Sequence, residues 1–263
     1  MGAAAPEAAD ERAGRTHVEH VMGMAVSIDV RAADRGSASL AVAIAEVVAW
    51  LHRVDATFST YIPDSQISRM ATGTLAAADA DPDVTEVMRL GEDLRAATGG
   101  YFDVRAAGTL DPSGVVKGWA VERASDLLAA RGFPHHQVNA GGDLRARGRP
   151  GAGRRWRIGI AHPHLAGALA AVIEIDDGAV ATSGTAERGA HVVDPHTGRA
   201  ALDLASVTLV GRDLARADAY ATAALAMGHA APAWLARLPG YEAFVVDAAG
   251  GAWSTPGFER YRA

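Results

Sequence analysis

Val207-Thr-Leu-Val-Gly-Arg-Asp-Leu-Ala-Arg-Ala-Asp-Ala-Tyr-Ala-Thr-Ala-Ala-Leu-Ala-Met227 changes its period within one short stretch. Val207–Val210 is a compact apolar and β-branched run closed by a glycine, the pattern of a short strand. From about Asp213 to Met227 the residues are small, helix-compatible and free of Gly and Pro, and they read as one helix. Upstream, Gln137–Asn139, Trp156–Ile160, Ala171–Ile175 and His191–Val193 also read as short strands, separated by Gly, Pro and Asp turns. Downstream, a short helix near Trp234 and a strand at Ala243–Val246 close the chain.

The first half has a different rhythm. In Met22–Val30, Met24, Val26, Ile28 and Val30 alternate with Ala25, Ser27 and Asp29, which is a half-buried strand. Leu40, Ile44, Val47, Val48, Leu51 and Val54 recur at helical spacing behind candidate caps at Ser37 and Ser39. Asp81-Pro82 offers an N-cap acid and a first-turn proline, and the helix it starts runs through Val84, Val87, Met88 and Leu94 to Gly99-Gly100. A third helix is expected from about Val116 to Arg131, stopped by Gly132. Helices early and a meander of strands later predict an α+β (mixed α/β) domain with an antiparallel or mixed sheet of short strands.

The chain has 263 residues, enough for one large domain or two packed lobes. We expect a single domain over residues 18–263 behind a disordered lead-in at 1–17. Cysteine is absent, which excludes disulfides, thiolate zinc sites, iron–sulfur clusters and a cysteine nucleophile. The formal net charge of −6, with acids and bases mixed along the chain, argues against a nucleic-acid surface. No apolar run approaches the roughly 20 residues of a membrane span. Met1 to Arg15 is Ala-rich and polar with no apolar stretch of the signal-peptide kind, so the chain as written is expected in the cytoplasm, and outside it if a signal has been trimmed.

Three places carry candidate chemistry. Asp218 and Thr222 stand four apart, so a carboxylate and a hydroxyl share one helix face and offer hard oxygens of the kind Mg²⁺ prefers. By themselves they fit better a solvent-facing Asp and a Thr bonded back to a carbonyl. Asp111-Pro-Ser-Gly-Val-Val-Lys117 runs a Gly-containing loop into a helix, a phosphate cradle by backbone amides and lysine, or an ordinary capped helix; it lacks Walker A spacing. His191, near Thr182-Ser-Gly and Asp194-Pro-His-Thr-Gly198, is a candidate general base, although a lone histidine is more often structural. Asn139-Ala-Gly-Gly-Asp143 reads as a β-turn. His135-His136 and His162-Pro-His164 lack companions at zinc spacing and read as loop residues.

Taken in order, these pieces resemble the ApbE family of FAD:protein FMN transferases over about residues 18 to 228. Met22-Gly-Met is similar to the family's M-G-T entry, and Phe58-Ser-Thr-Tyr61-x-x-x-Ser65-x-x-Ser68-Arg69 to its F-S-x-Y-x-x-x-S-E-x-S-R element, with Gln66 in place of the glutamate. Thr98-Gly-Gly-Tyr-Phe-Asp103, Asp111 to Gly118, Asn139 to Asp143, Thr182-Ser-Gly, His191 to Gly198 and Ala217 to Thr222 complete the series. The segment between Asp103 and Asp111 is shorter than in many relatives.

The resemblance implies an ApbE-like fold and a Mg²⁺-dependent transferase. It would cleave FAD as a substrate, attach FMN to a Thr or Ser hydroxyl of an acceptor flavoprotein, and release AMP. It implies metal binding by Asp218, Thr222 and the backbone carbonyl of Gly114. It implies FAD contacts from Met22, Tyr61, Tyr101, Phe102, Asp103, Asp111, Lys117 and Val193, with His191 as the base. The rival readings are an FAD pyrophosphatase, in which water replaces the acceptor, and a non-catalytic FAD-binding protein.

Overall fold

The alternation over Met22–Val30 builds the inner strand of a hairpin. β1 (Gly14–Val21) and β2 (Met24–Arg31) run antiparallel around a two-residue turn at Met22-Gly23. β1 begins inside the stretch expected to be lead-in. Its side chains are half exposed along most of its length, as suits an edge strand with no apolar face to announce it. The computed structural model describes residues 14–32, 34, 36–106, 108–185, 189 and 192–263. Residues 1–13 of the expected lead-in and the candidate base His191 lie outside them.

The helices follow as α1 (Ala38–Phe58), α2 (Gln66–Ala71), α3 (Pro82–Ala97) and α4 (Ser113–Ala130). Ser37 caps α1, its hydroxyl accepting from the Leu40 amide, and Leu40, Ile44, Val47, Leu51 and Val54 form its buried stripe. Asp81 precedes α3 but its carboxylate does not cap it. Instead the Gln66 side chain donates to Asp81 Oδ2 at 2.6 Å and accepts from the Asp81 amide at 2.8 Å, clamping α2 to the start of α3. α4 starts at Ser113, earlier than the expected Val116, because the Asp111 side chain accepts from the Ser113 amide and turns the loop directly into the helix.

The second half contributes β3 (His136–Ala140), β4 (Asp143–Arg147), β5 (Trp156–Ala161), β6 (Leu169–Ile175), β7 (Gly178–Gly184) and β8 (Leu204–Gly211). α5 (Leu214–Met227), α6 (Ala231–Leu235), β9 (Glu242–Asp247) and β10 (Ala252–Ser254) then close the described chain with a short 3₁₀ turn at Pro256–Tyr261. Of the expected strand at His191–Val193, the described residue Val193 makes an isolated bridge to Ala200. Among the described residues the main sheet has eight strands in the order β1-β2-β3-β4-β7-β8-β9-β10, every pair antiparallel, with β5 and β6 as a separate ribbon.

The helices cover one face of this sheet, and the β5–β6 ribbon covers part of the other. Val26, Ile28, Val138, Ala181, Val207, Leu209 and Val245 point into the helical core. Leu144, Val180, Val210, Phe244 and Val246 point into a second core with Trp156, Ile158, Ile173 and Phe258. β8 is therefore buried along its whole length, which is why Val207–Val210 reads as a continuous apolar run. No helix among the described residues is long and apolar enough to cross a membrane.

Candidate functional site

α4 and α5 cross at Gly118. A Cβ there would lie 2.6 Å from Ala215 Cα, 2.8 Å from the Leu214 carbonyl oxygen and 2.9 Å from the Ala215 nitrogen, so only glycine lets the two backbones touch. One turn on, Glu122 accepts from the Leu214 amide at 2.7 Å and pairs with Arg145 of β4 at 3.2 Å, fixing the first turn of α5 against α4 and the sheet. Burial raises the Glu122 pKa, with Arg145 opposing. α5 itself is almost entirely buried, and its small alanines permit that close packing.

This crossing sets Lys117 between two acids. Its ammonium contacts Asp143, the first residue of β4, and lies 3.5 Å from Asp218 Oδ2 on α5. Both carboxylates are buried, Asp143 at 1% and Asp218 at 4% exposure. Asp143 is delivered by the β3–β4 turn, where Gly141 and Gly142 adopt positive φ and the Asn139 side chain accepts from the Gly142 amide. Asp143 Oδ1 then accepts from the Thr182 amide at 2.8 Å. Thr222, one turn beyond Asp218, shares a hydrogen bond with Ser183 of β7 at 2.9 Å. The four-residue spacing thus brings Asp218 and Thr222 to one face, turned toward the sheet where β4 meets β7.

Among the described residues, two buried carboxylates and one ammonium give the site one negative charge in excess when both acids are ionised. Asp143 Oδ2 and Asp218 Oδ2 accept no hydrogen bond among the described residues beyond the ammonium contact. Burial pushes the Asp218 carboxyl up to about 7; Lys117 opposes the shift and the Asp143 charge adds to it. A further cation would relieve that cost, and the donors at hand are oxygens, so the residues fit a hard divalent ion such as Mg²⁺. Among the described residues no group of three or more His, Asp or Glu assembles into a metal cage. Gly114, whose carbonyl is the third candidate donor, sits in the first turn of α4 against the Phe102 ring, 3.1 Å from where its own Cβ would be.

The other residues singled out from the sequence lie in turns and loops with contacts of their own. Met22 lies in the β1–β2 turn, at the same end of the sheet as the β3–β4 turn, where the Gly141 amide donates to the Ala25 carbonyl. Among the described residues it is the one non-glycine with positive φ, 54°, a conformation that strains a side-chained residue. Tyr101 packs edge-on against His196 at 4.5 Å between ring centroids, joining the Tyr101–Asp103 turn to the Asp194–Gly198 turn beside Val193. Phe102 is buried beneath Gly114, so its ring supports the loop and only its backbone can meet a ligand. Asp103 and Asp111 each accept from a backbone amide two residues ahead, which is turn chemistry. Tyr61 is 94% exposed and no described contact ties it to the acids.

Sequence reasoning gave Asp143, Gly118 and Ser183 no role. Asp143 reads as the end of a β-turn, and Gly118 appears only as the last residue of the Asp111 to Gly118 segment. Their meaning appears only when β4, α4 and α5 are set side by side.

The matched family model is described as the ApbE family and covers residues 22–108 and 105–245. A relative named FAD:protein FMN transferase, from Escherichia coli K12, is 30% identical over 165 residues, covering 58% of this chain and 47% of its own. The chain thus spans about half the length of that relative. Two solved structures share the fold. Flavin transferase ApbE from Vibrio cholerae has a TM-score of 0.83 at 22% identity, covering 95% of this chain and 99% of that one. Pseudomonas stutzeri flavinyl transferase ApbE, apo form, has a TM-score of 0.82 at 25% identity, covering 96% and 99%. With its fold and the family model in agreement over most of its length, this chain belongs to the ApbE family.

Proposed function

We propose that the chain is a Mg²⁺-dependent FAD:protein FMN transferase, which cleaves FAD at its pyrophosphate, attaches FMN to a Thr or Ser hydroxyl of an acceptor flavoprotein, and releases AMP. The observation that carries this reading is the buried site of Asp143, Asp218 and Lys117, with Thr222 one turn on. The names of the relatives support the substrate and the transferred group.

Asp218, Thr222 and the Gly114 carbonyl would hold the metal. Bound there, Mg²⁺ would neutralise charge on the pyrophosphate. Lys117 supplies a mobile point charge for phosphate oxygens. Met22, Tyr101, the Phe102 backbone, Asp103, Asp111 and Val193 would contact FAD, and the exposed Tyr61 ring would offer a face for a flavin or adenine to stack on. The acceptor hydroxyl oxygen attacks the FMN phosphorus, its proton passing to His191. The bond from that phosphorus to the bridging oxygen breaks, and AMP leaves with that oxygen.

Binding tests the diphosphate reading. Fluorescence titration should show FAD bound more tightly than FMN or riboflavin, and Lys117→Gln should narrow the gap. Equal affinity for riboflavin would contradict it.

A further inference from the structure

Asp143 is held more firmly than a simple ion-pair partner requires. It follows a Gly-Gly turn pinned by Asn139, its Oδ1 is fixed by the Thr182 amide at 2.8 Å, and it is 1% exposed. Its remaining oxygen faces Lys117. Lys117 has a flexible stem, a second carboxylate 3.5 Å away at Asp218, and a partly exposed side chain. Among the described residues the ammonium therefore meets two acids, one immobile and one on the neighbouring helix.

We propose that Asp143 is a positioning residue that keeps the Lys117 ammonium from closing on Asp218, so that a divalent cation can occupy Asp218. This rests on the reading of Asp218 as a metal ligand. Without the Asp143 charge, the nearest acid to Lys117 is Asp218, and the ammonium competes with the cation for the same oxygen. The site also loses one of its two negative charges. Both effects weaken metal binding. Removing Lys117 acts the other way, because two buried carboxylates are then left for the cation alone.

The test uses the full chain without FAD, titrated with Mg²⁺ by calorimetry and by the shift in unfolding midpoint. Asp143→Asn keeps the acceptor for Thr182 and removes the charge; it should weaken Mg²⁺ binding by roughly 10–100-fold, the usual effect of losing a residue that supports a ligand. Lys117→Gln should strengthen binding, and the double variant should return toward wild type. A purely structural role predicts lowered stability in Asp143→Asn with Mg²⁺ affinity unchanged and no rescue, and that result overturns the proposal. If Asp143→Asn does not fold, Lys117→Gln decides, since an unchanged or weaker affinity in it also overturns the proposal. If wild type binds Mg²⁺ no better than Asp218→Asn does, the metal reading itself falls and takes the proposal with it. Loss in Asp218→Asn alone separates the two failures.

Discussion

Replacing Gly118 with alanine should cost far more than replacing Gly91, although both lie inside helices. Each substitution gains the same helix propensity, about 1 kcal/mol in favour of alanine, so that contribution cancels between them. The surroundings differ. At Gly91 of α3 the new Cβ would meet the Val104 Cγ1 atom at 3.0 Å, the tip of a side chain that can give way. At Gly118 it would meet three backbone atoms of α5 at 2.6 to 2.9 Å, and a backbone can yield only by moving the helix. Overpacking of this kind costs roughly 1–3 kcal/mol, occasionally more. We expect Gly118→Ala to be destabilised by about 2–3 kcal/mol relative to Gly91→Ala, lowering the midpoint by roughly 4–12 °C for a domain of this size. Because Gly114 lies one turn before Gly118 on α4, pushing α4 from α5 should carry its carbonyl, a candidate metal donor, away from Asp218 and Thr222, so Mg²⁺ and FAD affinity should fall together. Thermal unfolding and Mg²⁺ titration on both variants are the assays. Equal stability of the two, or a destabilised Gly118→Ala with normal Mg²⁺ affinity, would refute the claim that this crossing builds the site.

Three further outcomes follow from single residues. His136 is fully buried, its Nε2 2.7 Å from the Ser125 hydroxyl and its Nδ1 2.7 Å from the Phe133 carbonyl, and burial pushes its imidazole down to about 4. Its contribution to stability should be complete above pH about 6.5 and fall by up to about 3 kcal/mol as pH drops toward 4; urea unfolding of His136→Gln should show a flatter profile, and an identical slope would count against the assignment. Met22→Asn, which suits the positive φ of the turn, should raise stability by about 0.5–1 kcal/mol while weakening FAD binding, whereas a gain in stability with unchanged FAD affinity would free Met22 of any ligand role. Gln66→Glu should lower stability by about 1 kcal/mol near neutral pH, since a carboxylate cannot donate to Asp81 and would repel it; a chemical melt matching wild type would show the clamp contributes nothing.

The parts of the fold with one buried face were legible. β2 alternates because one side meets helices, and α1 shows its stripe because its other side meets water. β4 and β7 were harder to see. Asp143-Leu-Arg-Ala-Arg147 carries charges that are paired with α4, and the first four residues of Gly178-Ala-Val-Ala-Thr-Ser-Gly184 are buried on both faces and mostly small, so neither shows a period of two with obvious polarity. In the site, the shared face of Asp218 and Thr222 could be read from their spacing within one helix, but its burial could not: taken alone the pair fitted a solvent-facing Asp and a back-bonded Thr better, whereas Asp218 is buried and Thr222 meets Ser183. Asp143 and Gly118 act across three elements, and no local spacing encodes that. Asp103 and Asp111, candidate FAD contacts by resemblance alone, have their side chains engaged in turns.

The central claim is that FAD is cleaved and its FMN half moved to a protein. Its most direct test incubates the purified chain with FAD, Mg²⁺ and an acceptor flavoprotein, then measures AMP and locates FMN by mass spectrometry of the acceptor. The account predicts one AMP for each FMN bound covalently to an acceptor Thr or Ser, silence on chelation of the metal, recovery on adding Mg²⁺, and near-complete loss in Asp218→Asn. AMP with free FMN would make the protein a pyrophosphatase. FAD bound intact, with no AMP under any condition, would contradict the account altogether.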